Sequence, residues 1–90
     1  MELLERAAID LGLPNELART LTIETGYGAT LLARQSNDEP ATLRKQVTSP
    51  GGTTERALDS LDDSGLSAII KKALQAAHDR SVELGKQLDD

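Results

Sequence analysis

An all-α fold of about five helices is what this sequence predicts, and three observations carry that prediction. Apolar residues recur at three- and four-residue spacing along each long segment. No segment alternates with period two, so no strand is predicted. Glycine and proline fall between the periodic segments, at Gly12 and Pro14, Pro40, Pro50-Gly51-Gly52 and Gly65, where they stop or start helices.

The first helix is expected over Glu2–Leu11, with Leu3, Leu4, Ala7, Ala8 and Leu11 on one stripe. Gly12 ends it as the residue after the C-cap. Pro14 opens the second helix in its first turn, where a missing N–H costs nothing. That helix is expected to run from about Pro14 to Gln35, with Leu17, Leu21, Thr25, Gly28 and Leu32 as its main stripe and Ala18 and Ala29 beside it. Gly26 and Gly28 each cost about 1 kcal/mol relative to alanine there. The two glycines mark either a local weak point or kink or, with Thr25 and Ala29 beside Gly28 on one small face, the close approach of another helix, which is the favoured reading. Ser36-Asn37-Asp38-Glu39 breaks the chain, and Pro40 begins a short helix through Gln46. A fourth helix is expected over about Gly51–Asp63, with Ala57, Leu58 and Leu61 inward, and Gly65 ends it. The last helix, Leu66 to about Leu88, has the cleanest stripe: Leu66, Ile69, Ile70, Ala73, Leu74, Ala77, Ser81, Leu84 and Leu88.

Ninety residues allow one domain, 1–90, and a thin core. The chain has no Phe or Trp and a single Tyr, so its apolar content is nearly all Ala, Leu, Ile and Val. Association with another chain is therefore expected, because a small core gains from it. A net charge of −5 argues against nucleic-acid binding. Without cysteine there is neither a disulfide framework nor a thiolate metal site. No apolar run approaches the roughly 20 residues of a membrane span. The start of the chain lacks a basic-then-apolar leader, and a cytoplasmic location is expected.

One segment points to chemistry. Val47-Thr48-Ser49-Pro50-Gly51-Gly52-Thr53-Thr54 is a Gly/Ser/Thr loop that opens a helix. Such a loop offers backbone N–H groups at the positive end of a helix dipole. It suits an anion, a carboxylate or a phosphate. The alternative is an ordinary Ser/Thr cap with no ligand. Beyond it the chain carries no dinucleotide fingerprint and no P-loop. His78 stands alone on the last helix, so no metal site is expected, and no nucleophile–base pair is recognisable. No role is assigned to His78 or Tyr27.

The stretch Leu43–Leu61, reading LRKQVTSPGGTTERALDSL, resembles the signature of pyrroline-5-carboxylate reductase. Flanking residues extend the likeness: Ala8, Leu11-Gly12-Leu13-Pro14, Thr25, Gly28-Ala29, Arg80-Ser81 and Glu83-Leu84-Gly85. The resemblance covers nearly the whole chain and only the C-terminal domain of that family. It implies a helical domain that forms an interlocked homodimer, in some members five dimers in a decamer. It also implies that an NAD(P)H-binding Rossmann domain lies outside this chain, which is then an excised or naturally truncated piece, inactive alone. By the same resemblance Ser49, Gly51, Gly52, Thr53 and Thr54 hold the carboxylate of pyrroline-5-carboxylate, and the Thr54 hydroxyl reaches the ring nitrogen. Hydride from the nicotinamide then reduces the C=N bond to give proline. Glu55 and Leu66 depart from the residues common in the family, and both are expected to leave the loop untouched. The competing reading is a stand-alone helical interaction module without ligand or catalysis.

Overall fold

A computed structural model of the chain describes residues 1–89. Among them are five helices and no strand, in agreement with the periodicity: α1 (Glu2–Asp10), α2 (Asn15–Gln35), α3 (Pro40–Gln46), α4 (Thr53–Asp63) and α5 (Leu66–Asp89). The chain forms two compact units, Met1–Gln46 and Val47–Asp90.

In the first unit, Gly12 ends α1 as expected, with φ at +108°. Its N–H donates to the Ile9 carbonyl at 2.9 Å, and the Leu13 N–H donates to the Ala8 carbonyl at 3.1 Å. This pair of bonds is a Schellman motif, which satisfies two end carbonyls and turns the chain toward α2. Pro14 stands one residue earlier than the expected first-turn position. It is extended (φ −58°, ψ 147°), and its carbonyl accepts the Ala18 N–H at 2.9 Å. α1 packs against α2.

The buried line of α2 runs along the edge of the expected stripe, through Ala18 and not through its leucines. Ala18 is fully buried and Thr22 nearly so, whereas Leu17, Leu21 and Leu32 stay close to half exposed. Two small residues one turn apart let the neighbouring helix lie close. On α1, Ala8 of the expected stripe is half-buried, as are Glu5 and Ile9, while the other expected inward residues, Leu3, Leu4, Ala7 and Leu11, are open to solvent. The close approach expected at Gly26 and Gly28 is not made within the chain: a Cβ at either would meet nothing within 4 Å. There the Thr30 Oγ1 lies 2.9 Å from the Gly26 carbonyl and 3.1 Å from that of Tyr27, donating back into the helix. After α2, the Asp38 N–H donates to Ser36 Oγ at 3.0 Å, and Gln46 Nε2 reaches back to Asp38 Oδ2 at 3.4 Å. The polar break is thereby tied to the end of α3.

In the second unit α4 packs against α5. Gly65, with φ at +83°, both closes α4 and opens α5. Its N–H donates to the Asp62 carbonyl at 3.0 Å, and its own carbonyl accepts the Ile69 N–H at 3.1 Å. Of the three α4 residues expected inward, only Leu58 is half-buried; Ala57 and Leu61 are exposed, and no α4 residue is buried. A two-helix pair lacks the layers needed to enclose both stripes. Every described residue of α5 is exposed, including Ile69, Ile70, Leu74 and Leu84 of its apolar stripe. The polar side is laced by Gln75 Nε2 to Asp79 Oδ1 and by Arg80 to Glu83, both 2.9 Å. No helix among the described residues is long and apolar enough to cross a membrane.

Candidate functional site

The loop between α3 and α4 is built around one tight turn. Ser49 is its first residue, Pro50 and Gly51 its centre, and Gly52 its last. The Gly52 N–H donates to the Ser49 carbonyl at 2.9 Å, and Gly51 has φ at +74°. Proline at the second position and left-handed glycine at the third define a type II turn. Open space surrounds Gly51, so its backbone conformation rather than crowding calls for glycine. Gly52 is different. Its backbone is ordinary (φ −83°, ψ 177°), but a Cβ there would lie 3.1 Å from the Ser49 carbonyl oxygen.

Gly52 is also the N-cap of α4, and no side chain caps the helix. Its carbonyl accepts the Arg56 N–H at 3.2 Å, the first bond of the helix. The N–H groups of Thr53, Thr54 and Glu55 precede that bond and have no helical acceptor. Together with the dipole they make the start of α4 electropositive.

Residues Ser49, Gly51, Gly52, Thr53 and Thr54 are thus gathered within one turn of loop and the first turn of α4. Gly52 is half-buried and the other four are exposed. Not every loop N–H in this segment is free. The Gly52 N–H closes the turn, and the Gly51 N–H donates to Glu55 Oε1 at 3.2 Å. The unused donors begin at Thr53. Glu55, expected to leave the loop untouched, is in contact with it. The signal was in the sequence: a glutamate three residues after an N-cap reaches back over the helix start.

His78 is exposed on α5, and no group of three metal-ligating side chains occurs among the described residues. A shallow depression of about 460 Å³ runs along α5 beside Lys71, Lys72, Gln75 and Asp79 and contains no residue of the loop.

Residues 1–84 match the family model described as pyrroline-5-carboxylate reductase dimerisation. The chain belongs to that family. The pyrroline-5-carboxylate reductase of Pseudomonas aeruginosa is 47% identical over 88 residues, which are 98% of this chain and 32% of that protein. Pyrroline-5-carboxylate reductase 2 of Bacillus subtilis is 41% identical over 87 residues, 97% of this chain and 31% of that protein. Among solved structures, Plasmodium falciparum pyrroline carboxylate reductase with NADP bound superposes with a TM-score of 0.82 at 30% identity, over 84% of this chain and 31% of that one. The chain therefore spans about a third of the length of the curated relatives it matches.

Proposed function

We propose that this chain is the self-associating and substrate-holding part of a pyrroline-5-carboxylate reductase. One observation carries the reading: the type II turn at Ser49–Gly52 leaves three successive N–H groups, Thr53 to Glu55, unused at a helix start. A small carboxylate carries one negative charge and accepts several such bonds, which suits that geometry. The relatives' names supply the substrate class, a cyclic imino acid with one carboxylate. The loop then fixes the position of the C=N bond, and rate comes from orientation. The hydride comes from a nicotinamide when one is bound. With no strand among residues 1–89, there is no strand–glycine-loop–helix cradle for a dinucleotide. These residues do not fit that group, and no hydride step is assigned to them.

The test is a chimera in which this chain replaces the matching stretch of the Pseudomonas aeruginosa reductase. It is expected to reduce pyrroline-5-carboxylate with saturable kinetics and to sediment as a dimer or a multiple of one. A folded, associated chimera without activity would favour the non-catalytic helical module. In the active chimera, Thr54→Ala is expected to lower turnover roughly two- to twelvefold, since it removes one hydrogen bond worth about 0.5–1.5 kcal/mol. An unchanged turnover would remove the Thr54 hydroxyl from the reaction.

A further inference from the structure

The type II turn leaves one exposed loop amide without a backbone acceptor. Its third residue, Gly51, has an N–H with no backbone acceptor, because the turn's single bond is made by Gly52. Glu55, in the first turn of α4, supplies the acceptor: its Oε1 is 3.2 Å from the Gly51 nitrogen. The contact ties the middle of the loop to the helix whose N–H groups are free. Glu55 as a residue is half-buried, and its carboxylate reaches back to the loop.

We infer that Glu55 is a positioning residue: it clasps Gly51 and holds the turn in the shape that presents the Thr53, Thr54 and Glu55 N–H groups together. This rests on the reading of those groups as the carboxylate site. Gly51 is then a fastening point, not a donor to substrate, and the anion is met by the three amides that follow Gly52. The function of the clasp is reach and hydrogen bonding, not charge. A carboxylate near the site repels an incoming anion, so charge alone would work against binding.

Two variants of the active chimera separate these properties. Glu55→Gln keeps the reach and an acceptor oxygen without the charge. Glu55→Asp keeps the charge at a helix start, where aspartate is well tolerated, but is one methylene short of Gly51. The expected result is that Glu55→Gln leaves KM for pyrroline-5-carboxylate within twofold. Glu55→Asp raises it about three- to tenfold, the loss of one ordering hydrogen bond, with kcat within twofold. Sedimentation and helicity stay unchanged in both. If KM is unaltered in Glu55→Asp, Glu55 only caps the helix and the inference fails. It fails too if Glu55→Gln raises KM, which makes charge the agent, or if both variants lower it, which makes Glu55 an obstacle. A folded unsubstituted chimera without activity overturns the carboxylate reading itself, and the inference with it.

Discussion

Leu74→Asp is expected to abolish self-association and most of the helical signal at micromolar concentration. Leu74 sits mid-way along the α5 stripe and is 67% exposed in the single chain. On an isolated chain, an aspartate at so open a position would cost little more than the difference in helix propensity, a few tenths of a kcal/mol. Against a second copy the cost differs. Each Leu74 then loses about 1.5–3 kcal/mol of burial, and each aspartate brings a charge into an apolar contact. A symmetric interface applies both terms twice. The chain has little to set against that loss, since Ala18 is the one buried apolar residue among those described. Sedimentation velocity is expected to give a species near 9.6 kDa, with a much weakened far-ultraviolet circular dichroism signal. Lys72→Ala, on the polar side of the same helix, is expected to change neither. An associated, helical Leu74→Asp chain would show that the α5 stripe is not the covered face.

The helices and their ends were legible in the sequence because they depend on local rules. Gly12 and Gly65 end helices at positive φ, which a neighbour in sequence can announce. Which face each helix buries was less legible. Leu3, Leu4, Ala7, Ala8 and Leu11 make a clear stripe on α1, yet of these only Ala8 is half-buried, with Glu5 and Ile9 off the stripe. A stripe records everything a helix meets in its working assembly, and a single chain supplies only some of it. Gly26 and Gly28 fit the same account: the space beside them is open within the chain. In the loop, the turn could be read from Pro50-Gly51, because those residues select one turn type. The engagement of Gly51 by Glu55 is harder to read, because a glutamate at this spacing suits an exposed first turn of a helix as well as a contact with the loop before it.

Gly52→Val is expected to leave the chimera folded and associated while lowering its activity a hundredfold or more. The backbone at Gly52 is not the obstacle, since φ −83° and ψ 177° suit any residue. Space is. The added Cβ would sit 3.1 Å from the Ser49 carbonyl oxygen and 3.4 Å from Ser49 Cβ. That same oxygen accepts the Gly52 N–H at 2.9 Å, so the turn cannot widen without stretching the bond that closes it. Valine adds two methyl groups at the point where a carboxylate would approach the Thr53 and Thr54 N–H groups. A shift of about 1 Å in a positioning group is enough to cost about a hundredfold in rate. The loop is exposed and α4 keeps its own hydrogen bonds, so the stability loss should stay near 1 kcal/mol. Gly52→Ala brings the Cβ without the methyls and should fall between valine and glycine. Initial rates across the series, with sedimentation on each variant, separate the site from the fold. Activity in Gly52→Val within threefold of the unsubstituted chimera would mean that substrate does not approach this turn. Dissociation of the valine variant would mean that Gly52 serves the interface instead.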